Sequence, residues 1–158
     1  MQKFQTPAPI VAVLQIPAGR VQIIAADRAD TVVEIRPVNP AKSRDVQAAE
    51  QTGAVYADGV LRIQTAKPKN QLLGSGSVEV TVQLPAGSRV EGKSACAELR
   101  CVGRLGDLAF EGAYKQIKID EAASARITAI DGDVQVGRLS GPAEIRTARG
   151  EVRIGQAA

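Results

Sequence analysis

Two cysteines and a few closely spaced carboxylates are the side chains of this sequence that could support chemistry, because its 158 residues include no histidine. Without histidine, the chain cannot form a Ser-His-Asp or Cys-His catalytic centre or a histidine-ligated metal site. Cys96 and Cys101 are five positions apart, whereas the cysteines of zinc-binding and thioredoxin-type pairs have two residues between them. We therefore expect no catalytic residue, no bound metal and no cofactor.

Carboxylates come in close pairs at Asp120–Glu121 and Asp131–Asp133. Glycosidases place two carboxylates on opposite sides of a cleft, but acidic residues beside glycine are also typical of turns. Calcium-binding β-rolls use a glycine-rich nonapeptide, which this sequence lacks. We expect the protein not to be an enzyme, and a polysaccharide-active β-helix that uses only Asp, Arg or Lys is the alternative.

Three basic residues, Arg100, Lys118 and Arg153, occupy equivalent places in a repeated pattern, and Gln135 occupies a fourth. Two places before them stand Glu98, Gln116, Asp133 and Glu151. If the repeats stack, a basic column lies beside an acidic one, which favours charge pairing between strands and solubility. The alternative is that Arg100, Lys118 and Arg153 form a strip that binds an acidic protein or ligand.

These side chains lie on a repeated strand unit. The hexapeptide GDVQVG at 132–137 is followed eighteen residues later by the similar GEVRIG at 150–155. One nearly evenly spaced apolar set is Leu99, Ile117, Val134 and Val152, and two places on stand Cys101, Ile119, Val136 and Ile154. Another set is Val90, Leu108, Ile127 and Ile145. Two short strands and glycine-rich corners per period predict an all-β fold built as a β-solenoid, similar to a β-helix, whose coils of about 18 residues stack on one another.

The whole chain, 1–158, is predicted to form one domain, with a strand-rich lobe over 1–76 and regular two-strand coils over 77–158. Alternating β-branched residues predict strands at 10–17, 19–27, 31–38, 59–65 and 77–85. The polar segment 39–53 favours a loop or one short helix. The segment 66–77 favours a surface loop. Its Gly-Ser-Gly-Ser end lacks the spacing of a phosphate-binding loop.

Two similar stretches, LQIPAGRVQI (14–23) and VQLPAGSRVE (82–91), join the two halves of the chain. In each, the Pro-Ala-Gly tripeptide predicts that a strand ends and then restarts, because proline interrupts ladder pairing and glycine allows a turn.

The segment Gly150–Ile154 is the predicted self-association edge. Its residues are Gly150, Glu151, Val152, Arg153 and Ile154, and it contains no proline. A strand without a neighbour on one side is a template for pairing with another chain. We therefore expect the partner to be a second copy of this chain or another protein.

Charge and hydropathy argue against other partners. The net charge of +3, from 20 basic and 17 acidic residues, gives a mixed surface, unlike the clustered basic face of a nucleic-acid-binding protein. No apolar stretch of about 18–20 residues predicts a membrane span. The opening segment 1–19 lacks the continuous apolar core of a signal peptide, so we expect a cytoplasmic protein.

Strand-and-turn motifs along nearly the whole chain carry a resemblance to a known family. They are QKFQTPAPIVAVLQIPAG, RVQIIAADRADTVVEIRP, GSVEVTVQLPAGSRVE, VGRLGDLAFEG, and GDVQVGRLSGPAEI with GEVRIG. They resemble the bacterial β-strand-repeat family labelled "putative adhesin", whose function is unassigned. The resemblance implies a right-handed β-solenoid or strand-repeat body without catalytic residues. We expect a non-catalytic structural, self-associating or adhesin-like interaction module, with the basic strip as the alternative binding site.

Overall fold

The fold, given by a computed structural model that describes residues 2–65 and 76–157, is all-β. Its strands are β1 (Gln2–Gln5), β2 (Val11–Ala26), β3 (Asp30–Pro37), β4 (Thr52–Ala57), β5 (Val60–Thr65), β6 (Val78–Pro85), β7 (Arg89–Leu139), β8 (Ala143–Thr147) and β9 (Val152–Ala157). One helix, α1 (Ser43–Glu50), forms within the polar segment 39–53. The predicted surface loop at 66–77 lies outside the described residues, apart from its last two positions.

The strands predicted in the first half of the chain are confirmed by β2, β3, β5 and β6. The prediction that a strand ends at each Pro-Ala-Gly is wrong at 17–19, where β2 continues without a break. It is confirmed at 85–87, where β6 ends at Pro85 and the chain turns before β7 begins at Arg89. The serine that follows the second tripeptide makes the difference: the Ser88 hydroxyl donates to the Pro85 carbonyl at 2.7 Å and accepts from the Ile10 amide at 3.0 Å.

The central strand, β2, runs parallel to three other strands. Its first half pairs with β5 in the register Val11↔Val60, and its second half pairs with β6 in the register Gly19↔Val78. Along its other edge, β2 pairs with the first part of β7, over positions 89–102. The strand-rich first half and the repeats of the second half therefore share one sheet.

Antiparallel strands and α1 lie at one end of the sheet, which we name the covered end (β1, β3, β4 and α1). β3 lies antiparallel between β1 and β6, and β4 is antiparallel to β5. The β4–β5 turn is Asp58-Gly59, and both residues have the positive φ angles, 51° and 77°, that a two-residue type I′ hairpin requires. The helix packs against β3, β4 and β6.

A buried carboxylate fixes α1 to the covered end. The Asp45 side chain accepts hydrogen bonds from the backbone amides of Asn39, at 3.1 Å, and Ser77, at 2.8 Å. These contacts join the helix to the chain just after β3 and just before β6. Because a buried carboxylate needs such partners, Asp45 holds the helix in one position.

Strand β7 folds back on itself. Its 51 residues would extend about 170 Å if straight, yet side chains from distant parts of the strand meet. Asp107 binds Arg89 at 3.6 Å and accepts a hydrogen bond from Ser124 at 2.7 Å. Four residues of β7 have positive φ angles: Gly103, Gly112, Lys115 and Gly132.

The last two strands continue this pattern. β8 pairs with β7 in the parallel register Ala125↔Ala143, and β9 pairs with β7 in the parallel register Val134↔Val152. The predicted apolar columns face inward, since Leu99, Ile117 and Val134 are buried, as are Val90, Leu108 and Ile127. Gly92 leaves room for the buried ring of Phe110, because a Cβ at this position would overlap the ring.

Candidate functional site

The two cysteines differ in burial. Cys101 is buried, as its parity in the repeat predicts, and burial, followed by the charge of Asp120, raises the pKa of its thiol far above the ordinary range. A thiol held neutral in this way is not a nucleophile. Cys96 is half-buried, and both cysteines are free. In the described ranges, no three Asp, Glu or Cys side chains are placed to hold a metal ion.

A charged groove of about 330 Å³ crosses the outward faces of β6, β2 and β7. Its lining residues are Arg20, Val21, Gln22, Glu79, Glu98, Leu99, Arg100, Gln116 and Lys118. Neighbouring strands bring them together, because Arg20 of β2 pairs with Glu79 of β6 on one side and with Glu98 of β7 on the other. The charged groove is therefore built from outward positions of adjacent parallel strands.

Arg20 engages both acidic side chains of the charged groove. Its Nε lies 3.3 Å from Glu98 Oε2, and its Nη1 lies 3.9 Å from Glu79 Oε1. Arg100 and Lys118 are exposed, and neither forms an ion pair with a described residue. The two acidic side chains therefore interact mainly with Arg20, whereas the charged groups of Arg100 and Lys118 on the groove wall face solvent.

The structure brings together two of the three residues of the predicted basic strip. Arg100 and Lys118 line the charged groove, whereas Arg153 lies outside it on β9. The Arg153 guanidinium donates to the carboxylate of Glu151, which directly precedes β9, with Nη2 2.9 Å from Oε2. Sequence reasoning missed Arg20 and Glu79, since the pairing of β2 with β6 and β7 leaves no fixed period to detect.

The second candidate surface is the open end, which we define as the outer edges of β8 and β9. Val152 and Ile154 are 42% and 38% exposed, whereas their register partners on β7, Val134 and Val136, are fully buried. These are inward positions of the repeat that no other strand of the described residues covers. Within the described part of the chain, β9 pairs with β7 alone. The predicted edge Gly150–Ile154 thus combines an unpaired strand with uncovered core positions.

Exposed apolar side chains elsewhere differ from those of the open end. Val55, on β4, is 65% exposed, but it occupies an outward position between the buried Thr52 and Ala54 on one side and the β4–β5 turn on the other. Single outward apolar residues of this kind are common on soluble proteins. Val152 and Ile154 stand apart because they belong to the columns that form the core.

No protein-family model matches the sequence, and no curated protein matches it. Among solved structures, the chain is similar to a putative cell adhesion protein from Clostridium sporogenes, with 13% identity over 99% of this chain and 98% of that one, and a TM-score of 0.36. It is also similar to a putative adhesin from Bacteroides fragilis, with 10% identity over 97% and 95% of the two chains, and a TM-score of 0.40. Both names agree with the family that the sequence resembles.

The chain is also similar to a putative lipid-binding protein from Parabacteroides distasonis, over 99% of this chain and 95% of that one, with 10% identity and a TM-score of 0.32. Among the described residues, no helix of this chain is long and apolar enough to cross a membrane.

Proposed function

We propose that the chain is a non-catalytic interaction module that associates with another protein chain through its open end. The observation that carries the proposal is the exposure of Val152 and Ile154 at positions that are fully buried one repeat earlier. Covering the exposed part of each side chain would contribute about 1 kcal/mol. Pairing the outer edge of β9 would add backbone hydrogen bonds, as edge strands commonly do.

We further propose that the second half is a β-solenoid with coils of about 18 residues. The contacts of Asp107 with Arg89 and Ser124, together with the parallel registers of β8 and β9, support this architecture. In such a stack each coil is covered by the next one, so association would supply the layer that the open end lacks.

The test is size-exclusion chromatography with light scattering over a range of protein concentrations. We expect the mass to exceed that of the monomer at high concentration, and Val152→Lys to shift the protein toward monomer, because the lysine charge would have to be buried. Val55→Lys is the matched control, since it changes an exposed valine at the covered end. A wild type that stays monomeric, or a Val152→Lys variant that associates as well as the control, would contradict the proposal.

A second candidate function is binding of an acidic protein segment in the charged groove. It is favoured by one observation, which is that Arg20 engages Glu79 and Glu98 while Arg100 and Lys118 remain unpaired in the described residues. We expect the double change Arg100→Glu and Lys118→Glu to abolish binding of a fluorescent hexaglutamate peptide in an anisotropy titration at low salt. Arg62→Glu, which alters an exposed arginine of β5, should leave the binding unchanged. Equal affinity of all three proteins would exclude the groove.

A further inference from the structure

Charged side chains of adjacent strands alternate in sign away from the charged groove. Arg89 and Asp107, on successive stretches of β7, have Nε and Oδ2 3.6 Å apart. Arg126 of β7 lies 3.6 Å from its register partner Glu144 of β8. In the charged groove, by contrast, two cations lie together. Because like charges opposite each other destabilise a sheet, this arrangement lowers stability unless an anion neutralises it.

The two cations, Arg100 and Lys118, occupy neighbouring stretches of β7. They are eighteen positions apart, as are Ser94 and Gly112. These two residues lie against each other, since a Cβ on Gly112 would overlap the Ser94 carbonyl. Adjacent strands are about 4.8 Å apart, and both cationic side chains line the same groove. Arg100 and Lys118 can therefore contact one anion together.

The carboxylates nearest the two cations have other partners. Glu98 lies 3.3 Å from Arg20 on the neighbouring strand β2. Asp120, the outward residue two positions after the lysine, accepts a hydrogen bond from the Gly103 amide at 3.2 Å. The segment 66–75 contains no Asp or Glu. No acidic side chain of the described residues forms an ion pair with either cation, so an anion from outside the chain has a place there.

We infer that the charged groove binds a phosphorylated side chain on a segment of another protein, with the phosphate held between Arg100 and Lys118. The inference rests on the second candidate function, which assigns an acidic protein segment to the groove, and it names the anion. It does not depend on association through the open end.

Charge and hydrogen-bonding capacity favour a phosphate monoester over a carboxylate. A phosphate monoester carries a charge of about −1.5 to −2 at neutral pH and has three acceptor oxygens, which matches two cations. The planar guanidinium of Arg100 can donate two parallel hydrogen bonds to it, and Lys118 supplies a compact second charge. A carboxylate has one charge and is satisfied by the arginine alone, which would leave the lysine without a counter-ion.

The rest of the groove suits a peptide. Its volume of about 330 Å³ leaves room for the residues on either side of the phosphate. Gln22 and Gln116 line it with amide groups that both donate and accept hydrogen bonds, as a peptide backbone requires. The side chains of Val21 and Leu99 are buried, so the groove offers little apolar surface to an acyl chain. Its described lining includes no aromatic ring on which a nucleotide base could stack.

Anisotropy titrations with two fluorescent hexapeptides of glycine and alanine, one with a single phosphoserine and one with serine in its place, test the inference. At low salt, we expect the phosphopeptide to bind the wild type at least about tenfold more tightly than the serine peptide. The double variant Arg100→Gln/Lys118→Gln should lose this preference. The matched control Arg126→Gln/Arg146→Gln removes the same charge at exposed positions outside the groove and should keep it. Thermal unfolding verifies that both variants are folded.

The charge of the phosphate provides a second measurement. The second pKa of a phosphate monoester is about 6, so the phosphopeptide loses much of its second negative charge between about pH 7.5 and about pH 5.5. The chain has no histidine, the side chain whose ordinary pKa falls in this range. We therefore expect binding to weaken several-fold through protonation of the peptide. Affinity that is constant over this range would contradict a doubly charged phosphate shared by two cations.

Competition identifies the occupant. Inorganic phosphate, glycerol phosphate and adenosine monophosphate should each displace the phosphopeptide only at concentrations well above that of the unlabelled phosphopeptide. Displacement by any of them at equal concentration overturns the protein segment as the occupant, in favour of the free anion, a lipid headgroup or a nucleotide.

The hexaglutamate titration separates this inference from the second candidate function. A phosphopeptide that binds no more tightly than the serine peptide overturns the inference, while binding of hexaglutamate to the same groove would still support that function. A preference for the phosphopeptide that survives in the Arg100→Gln/Lys118→Gln variant also overturns it. If neither the phosphopeptide nor hexaglutamate binds, both proposals are wrong.

Discussion

The covered end and the open end of this protein differ in how their last strands meet solvent. At the covered end, β4 turns back on β5, and its inward residues Thr52 and Ala54 are buried. At the open end, β9 continues the parallel direction of the strands before it, and its inward residues Val152 and Ile154 are exposed. A parallel repeat does not terminate itself, because each unit leaves the same apolar side for the next one to cover.

The difference shows what termination of such a sheet requires. The covered end uses a two-residue hairpin, a polar helix and the buried carboxylate of Asp45, none of which belongs to the repeat. The open end carries the charged pairs Glu144–Arg146 on β8 and Glu151–Arg153 at the start of β9, and charged side chains are one of the features that discourage pairing at a sheet edge.

The largest expected effect on stability comes from replacing isoleucine with alanine at each of two positions in the same apolar column. Ile119 is buried and Ile154 is 38% exposed. We expect Ile119→Ala to lower the free energy of unfolding by about 3 kcal/mol, since it leaves a cavity in the core. Ile154→Ala should cost about 1 kcal/mol, since less area is lost from contact. Urea denaturation at a concentration where the protein is monomeric measures both, and equal losses would contradict the description of the open end.

A smaller effect is expected at the covered end. Asp45→Ala removes the acceptor for the amides of Asn39 and Ser77, and the loss of this charged acceptor should cost about 2 kcal/mol. Glu50→Ala, at an exposed position of the same helix, should change stability by less than about 0.5 kcal/mol. Because Asp45 acts at the covered end, its loss should not change the mass measured by light scattering at a given protein concentration. A change in that mass would show that the two ends are coupled.

Much of this contrast follows from periodicity in the sequence. Alternation of apolar residues predicted four of the early strands, and the nearly constant spacing of the repeat predicted which side chains face inward, including Leu99, Ile117 and Cys101. Such patterns are informative because burial repeats wherever the backbone geometry repeats. The same columns include Val152 and Ile154, which are exposed in the structure; that Gly150–Ile154 is a self-association edge stays a prediction.

Contacts that break the period could not be predicted in this way. The two Pro-Ala-Gly tripeptides are identical, yet β2 runs straight through one and the chain turns at the other, where Ser88 closes the turn through two hydrogen bonds. The outcome depends on partners that are distant in sequence, such as Ile10.

The charged groove also depends on strand pairings that the periodic pattern of the sequence does not predict. Sequence similarity aligned 14–23 with 82–91, but in the sheet Leu14 pairs with Ile63 and Gly92. Arg20 therefore reaches the groove through pairings that the repeat does not encode. Arg100 and Lys118 do follow the period, so the sequence pattern placed these two in one column.

The smallest predicted effect is a dependence on pH that belongs to the covered end. The Arg28 side chain, hydrogen-bonded to Asp30 at 2.6 Å, holds the pKa of that carboxyl below its ordinary value of 3.8. Partial desolvation opposes this effect, and Lys3, 3.3 Å away, adds to it. A carboxyl whose pKa is lowered by folding stabilises the folded protein above its unfolded pKa, and that contribution disappears as the pH falls through the lower, folded value.

Asp30→Asn should therefore destabilise the protein near neutral pH, and the difference from the wild type should shrink as the pH falls below about 4. Urea midpoints of both proteins at neutral pH and in acid measure this difference. A difference that is constant across this range would mean that the ionised form of Asp30 contributes nothing specific. A difference that shrinks in acid would place this contribution at the junction of β1 and β3. Acid below about pH 4 would then weaken the covered end through Asp30, whereas the apolar side chains of Val152 and Ile154 carry no titrating group and would keep their contacts.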